Sequence, residues 1–356
     1  MSANTLDIAS IPAPRSNRRL IGHDHAAQVL DQAFARSRLP HAWLLHGPSG
    51  IGKATLAFRF ARYLLAEPAA RGNGLAVAEH AQVARLIDQG AHPDLRIIDA
   101  TSGEARKARA AIPVEPVREA VAHAHATAAM GGYRLLVIDP IEALNANAAN
   151  AVLKLIEEPP RRTVILCISH RPEMTLATIR SRCARLRLAP LSDADCVSAI
   201  ALAAGVDEAE AAALTSLAPG RPGAALRRVQ TGWPALLHET LMCLSAADTA
   251  DLHKQAHALA GLAADEGFQP VSELLGLLVH RAMRRAAGRA LAPILPDETA
   301  LLEAWSARVP LDRWPALWDN ALRRAGLVDG LYLDASQTAL ILLDALAHGA
   351  LLEDAA

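Results

Sequence analysis

Aromatic residues are scarce, at 3% of the sequence, and charge nearly cancels, with a formal net charge of -1 and a pI near 6.9. The first shortage works against a β-rich fold, because aromatic and β-branched side chains favour strands. The second removes the broad positive field by which a chain grips a nucleic-acid backbone on its own. Any contact with DNA must then be local or made through partners. The four cysteines, Cys167, Cys183, Cys196 and Cys243, form no C-x-x-C pair, so they are expected as reduced thiols, with no zinc site. The start, "MSANTLDIASIPAPRSNRRL", has no signal-peptide core. No uncharged apolar run approaches the roughly 20 residues that a membrane span requires. A cytoplasmic location without membrane contact is expected.

What is abundant is Ala and Leu within a 52% hydrophobic chain, a composition that favours helices and permits a sizeable core. Residues 1–18 mix Ser, Pro, Asn and Arg without apolar period and read as a flexible tail. From about 19 to 188, the short apolar runs "HAWLLHG", "LRIIDA", "RLLVIDP", "TVILCIS" and "RLRLAPL" alternate with helical patterns near 24–37, 53–66, 114–131 and 145–157. Such alternation predicts a parallel α/β sheet flanked by helices. Beyond Pro190 the strand patterns stop. A small helical domain is expected over 189–235, opened by a capping signal at Ser192 and Asp195, and an all-helical domain over 236–356.

The stretch "HGPSGIGKAT", residues 46–55, lies between an apolar strand and an amphipathic helix. Gly47, Gly52 and Lys53 satisfy G-x-x-x-x-G-K, with Gly50 between them. In that setting backbone N–H groups and a helix N-terminus cradle phosphates while Lys53 reaches the outer ones, so ATP is the expected ligand. Two departures bear on hydrolysis. The position after the lysine, where a hydroxyl would bind Mg²⁺, is Ala54, and Thr55 comes one residue, about 100° of helix, too late. Asp139 ends its strand as a metal-orienting carboxylate would, but the next residue, where a water-activating Glu would stand, is Pro140. Nearby Glu142 reads as a solvated surface residue. ATP binding without hydrolysis is the expectation, with the role of Mg²⁺ left open.

Three further stretches carry a resemblance: "NAANAVLKLIEEPP" after the Asp139 strand, "TLATIRSRC" about twenty residues on, and the entry "IGHDHAAQVLDQAFARSRLPHAWLLHG". Together they make the chain similar to bacterial clamp-loader subunits of the AAA+ class, those of the DNA polymerase III holoenzyme. The similarity extends over a three-part layout: nucleotide-binding-type domain, helical lid, and helical collar. The resemblance implies that Arg182, in Ser181-Arg182-Cys183, is an arginine finger offered in trans to ATP on a neighbouring subunit. A planar guanidinium there stabilises the charge on the γ-phosphate. It also gives Ser169, at the tip of "TVILCIS", as a residue that senses the γ-phosphate, or else a turn serine.

Within that family, a motor branch carries an intact loop, an Asp-Glu pair and a lid arginine, and a delta-prime branch is degraded at these sites while keeping Ser-Arg-Cys. Ala54, Pro140 and Gly223, the last where the motor branch has its lid arginine, place this chain with the second; Arg221, Arg227 and Arg228 read as surface charge. The resemblance implies a stator-type subunit of a hetero-oligomer. Its partners would be motor subunits and a delta subunit, acting on a sliding clamp and primed DNA. The alternatives are an ATP-hydrolysing motor subunit and an AAA+ scaffold outside replication.

Family members often carry a four-cysteine zinc module before "HPD"; this chain keeps His92-Pro93-Asp94 without cysteines, and either the module's scaffold persists without metal or a loop has replaced it. In the last domain Arg281, Arg284, Arg285 and Arg289 form either a basic face or a favourable helix C-terminus. The run "TALILLDALAHGALL" supplies either a collar contact or internal core.

Overall fold

The computed structural model describes residues 11–99, 111–289 and 293–351. Packing divides the chain into two compact units, 1–226 and 227–356.

In the first unit, β1 (Ala42–His46), β2 (Leu95–Asp99), β3 (Arg134–Asp139), β4 (Thr163–Ser169) and β5 (Ala184–Arg187) form one parallel sheet in the order β2-β3-β4-β1-β5. Side chains alternate across it. Trp43 and Leu45 of β1, Leu135 and Val137 of β3, and Leu166 and Ile168 of β4 enter one core. Ala42, Leu44, Leu136, Ile138, Ile165 and Cys167 enter the other. The first core is closed by α1 (Asp24–Ala35), α2 (Lys53–Leu65) and α3 (Gln82–Asp88), through Leu30, Leu56, Phe60, Leu64 and Ile87. The second is closed by α4 (Val114–His125), α5 (Ala146–Glu157) and α6 (Ala177–Arg182), through Val117, Val152, Leu155 and Ile179. Burial on both faces explains why the central strands β1, β3 and β4 read as nearly unbroken apolar runs. Helix α4 stops at His125, short of the expected 131: Asp94, buried at the sheet, accepts the backbone N–H groups of Ala129 and Met130 and fixes a turn there.

Between α2 and α3 the cysteine-free segment keeps a folded scaffold. Arg71 donates from Nε to Tyr63 O (2.9 Å) and from Nη2 to Leu64 O (3.1 Å), satisfying carbonyls at the end of α2. Its guanidinium also lies 4.9 Å from the Phe34 ring centroid, and Leu75 is buried in the first core. Among the described residues, no group of three or more His, Cys, Asp or Glu could hold a metal ion. Of the tail expected at 1–18, residues 1–10 lie outside the described residues. The described part is held down: Arg18 pairs with Asp88 at 2.6 Å, and Arg62 Nη2 donates to Arg15 O.

Ser192 caps α7 (Asp193–Ala204) by accepting from Asp195 N, as its spacing predicts, and α8 (Glu208–Thr215) packs beside it. The division between units falls within α9 (Pro222–Gln230).

The second unit is helical among its described residues: α10 (Trp233–Ala246), α11 (Thr249–Glu266), α12 (Gln269–Ala286), α13 (Glu298–Ser306), α14 (Trp314–Leu331) and α15 (Ala335–His348). Trp305 and Trp314 meet edge to face at 5.0 Å in its centre, and Trp305 Nε1 donates to Leu346 O. The apolar run in α15 is internal core, with Ala339, Leu342, Leu343 and Leu346 buried; its last residue, Leu352, lies outside the described residues. Two arginine readings change. Arg228 is buried, paired with Glu273 and stacked 4.1 Å from Trp233, so it is not surface charge. Arg281 is buried against Glu298, and Arg285 pairs with Glu303, which leaves no continuous basic face. Both changes have one cause: a guanidinium on a long stem can reach a carboxylate and still pack apolar surface.

Candidate functional site

In the sheet order, the chain jumps outward from β1 to β2 and returns over β1 to reach β5. Ligands of parallel sheets bind beyond the carboxyl ends of strands at such a reversal, and the glycine loop after β1 lies there. Gly47 N donates to Ser169 O at the tip of β4 (3.3 Å), so the loop and the Ser169 strand end adjoin. Ser169 is fully buried, and its hydroxyl meets Thr175 Oγ1 at 3.2 Å.

The loop is held closed by its own surroundings. Lys53, 2% exposed, donates from Nζ to the carbonyls of Gly47 and Pro48, both at 2.6 Å. His23 Nε2 lies 2.6 Å from Ile51 O, so its neutral Nε2–H tautomer donates there, and burial pulls its pKa below the ordinary 6.5. Gly223 N, in the first turn of α9, donates to Gly50 O at 2.8 Å. Gly50 has φ +84, and a Cβ there would lie 2.7 Å from Ala224 Cβ, so only glycine lets α9 seat on the loop. Gly52 caps α2 without a side chain.

The residues fit a hydrolysing Mg²⁺–ATP site poorly. Ala54 packs on the apolar core, and Thr55 is half-buried in the first turn of α2. Asp139 ends β3 with Oδ1 3.5 Å from His170 Nε2, and Pro140 follows. Glu142 is not a solvated residue. Its Oε1 accepts from His170 N (2.7 Å) and Arg171 N (3.0 Å), clamping the turn after β4. These two donors hold the carboxylate at that turn.

Arg182 ends α6. Its Nη2 is 2.8 Å from Glu157 Oε1, its Nη1 donates to Thr178 O, and its side chain is 42% exposed. Ser181 is exposed beside it and donates to the same carbonyl. The register decides where this arginine stands. Ala184 pairs with Trp43 and Arg187 with His46, so Arg182 lies at the opening edge of the sheet and the glycine loop at its closing edge. At about 3.3 Å per residue, these levels differ by more than about 10 Å along the strands. The structure brings Gly47, Gly50, Gly52, Lys53 and Ser169 together and sets Ser181 and Arg182 apart from them. Sequence reasoning named Gly223 only for the arginine it replaces and gave His23 no role, and it missed the contacts both make with the glycine loop. It also missed Glu157, although the glutamates of "LIEEPP" stand within the quoted motif.

The family model described as DNA polymerase III, delta subunit, matches residues 22–192. The DNA polymerase III subunit delta' of Pseudomonas aeruginosa is 42% identical over 153 residues, 43% of this chain and 44% of that protein. The Escherichia coli subunit delta' is 31% identical over 215 residues, 60% of this chain and 61% of that protein. The chain thus spans roughly half the length of the curated relatives it matches. A solved structure of the Thermotoga maritima RuvB Holliday junction branch migration motor aligns over 92% of this chain and 91% of that one, at 14% identity and a TM-score of 0.43. In motifs and in curated relatives this chain is similar to the delta' subunits of DNA polymerase III, and the family match rests on residues 22–192, a little under half of the chain.

Proposed function

We propose that this protein is a stator-type subunit of a DNA polymerase III clamp loader, contributing to DNA replication by presenting Arg182 to ATP held on a neighbouring subunit. The observation that carries this reading is the placement of an exposed Arg182 at the sheet edge opposite its own glycine loop. Glu157 and Thr178 O hold the guanidinium without burying it, so a γ-phosphate can replace the carboxylate, an exchange of one charge-assisted contact for another. Met174 and Leu176, in the turn leading to α6, are 67% and 47% exposed, and a neighbouring subunit would cover them.

The chain's own loop is accessory. To meet a phosphate, Lys53 must leave two carbonyls at 2.6 Å, which makes nucleotide binding weak. Hydrolysis does not follow, because no hydroxyl stands at Ala54 and Glu142 is committed to His170 and Arg171. The proposed partners are motor subunits and a delta subunit, in an assembly that loads a sliding clamp onto primed DNA.

Reconstitution with partner subunits from the same source tests the reading. Arg182→Ala is expected to leave the chain folded and assembled and to lower DNA-stimulated ATPase of the whole loader by about 10³-fold at the affected site. An unchanged rate, or turnover by the isolated chain that Lys53→Ala removes, refutes it.

A further inference from the structure

Far along α2 from the glycine loop, three arginines converge on a cavity of about 130 Å³. Arg18, Arg59 and Arg62 line it together with Leu75, Val77 and Ala84. Arg62 is 4% exposed although it carries a permanent charge.

The positive charge here exceeds what the neighbouring groups balance. Asp88 is the one carboxylate bonded to the cluster among the described residues: its Oδ2 takes Arg18 Nη2 at 2.6 Å and Nε at 3.1 Å, and its Oδ1 takes Arg62 Nη2 at 3.0 Å. Asp24 acts on Arg59 only through space. Other donors go to neutral carbonyls, Arg18 Nη1 to Glu79 O, Arg59 Nη2 to Gly74 O and Arg62 Nη2 to Arg15 O. Three guanidinium donors, Arg59 Nε and Arg62 Nε and Nη1, are buried with no partner among the described residues. Burial draws both Arg59 and Arg62 below the ordinary arginine value, and for Arg62 the charges of Arg18 and Arg59 add to the effect. A guanidinium cannot answer by losing its proton, so the cluster favours a counter-anion.

We propose that the Arg18–Arg59–Arg62 cavity is a phosphate-binding site, separate from the glycine loop, that takes a free phosphate dianion or the terminal phosphate of a monoester. The shape fits this class. The cavity, about 130 Å³, has room for an anion of phosphate size. Its apolar walls, Leu75, Val77 and Ala84, leave recognition to the guanidinium forks, which match phosphate oxygens bidentately. Because Arg18 follows the start of the chain and Arg59 and Arg62 stand on α2, a bound anion would also tie residues 15–18 to the domain.

The test titrates the full-length protein with inorganic phosphate and, separately, with glycerol 3-phosphate. Thermal unfolding and calorimetry are read against sodium chloride of equal ionic strength. Saturable stabilisation by phosphate is expected, kept in Lys53→Ala, which empties the glycine loop of its cation, and weakened at least about tenfold in Arg59→Gln. A response to both probes assigns a site for terminal phosphates, and a response to phosphate alone assigns the free anion. If Arg59→Gln does not fold, crystals of the native protein soaked in selenate must show anomalous density between the three arginines. Stabilisation no greater than with chloride, or a response lost in Lys53→Ala and kept in Arg59→Gln, overturns the proposal, as does selenate found elsewhere only.

Discussion

Replacing Gly50 by alanine isolates the contact that seats α9 on the glycine loop. Two costs follow from the geometry. An alanine held at φ +84 pays about 1–2 kcal/mol for the left-handed backbone. Its Cβ would stand 2.7 Å from Ala224 Cβ, so α9 must withdraw and the Gly223 N–H to Gly50 O bond of 2.8 Å is lost, about 0.5–1.5 kcal/mol more. The expected loss is about 2–3 kcal/mol. For a unit of this size that corresponds to a fall in Tm of about 4–12 °C. Gly74→Ala is the matched control, since Gly74 has φ +62 and would meet nothing within 4 Å. It bears only the backbone cost, and any gain from a stiffer unfolded chain is common to both variants. Urea unfolding followed by fluorescence of Trp43, in the sheet, measures the difference, and amide exchange at Gly223 should speed up in Gly50→Ala alone. Equal losses in the two variants, with Gly223 still protected, would refute the seating of α9 on this loop.

Other expectations rest on buried charge and on histidines. Arg281→Met leaves Glu298, 2% exposed, without its cation and should destabilise the second unit by about 3–5 kcal/mol; a loss under about 1 kcal/mol in urea unfolding would contradict a buried pair. His23, His46, His92 and His280 all have pKa values lowered below 6.5, with burial the largest cause in each. Between the lowered values and 6.5 the unfolded chain binds more protons. The stability they contribute is therefore full above pH 6.5 and is lost as pH falls through the folded values. His92 adds a specific break, because its Nδ1 accepts the Asp94 N–H and cannot do so once protonated. His92→Asn should flatten part of the Tm profile between pH 7.5 and 5, and an unchanged profile would exclude that residue.

How far the sequence carries the reading depends on the distance over which each feature is encoded. Strand runs such as "TVILCIS" and the spacing from Gly47 to Lys53 are local, so period and motif were enough to place the sheet, the loop and Ser169 at a strand tip. Ser192 was legible as a helix cap for the same reason: its hydroxyl serves an N–H three residues on. Arg182 was marked by motif, but only the strand register sets it at the edge away from its own loop.

The sequence by itself determined a parallel sheet flanked and followed by helices, a glycine loop ending in Lys53 with Ala54 and Pro140 at the two positions noted, and a Ser-Arg-Cys arginine. Tertiary structure alone decided the polar partnerships: Glu142 with a turn 28 residues away, Arg18 with Asp88 70 residues away, Gly223 on Gly50, and Arg228 and Arg281 buried rather than exposed. Apolar periodicity records which face of an element is covered, because burial acts on every residue of that face. A long polar side chain can find its partner wherever packing brings one within reach, and nothing in its own neighbourhood of the chain records where that is.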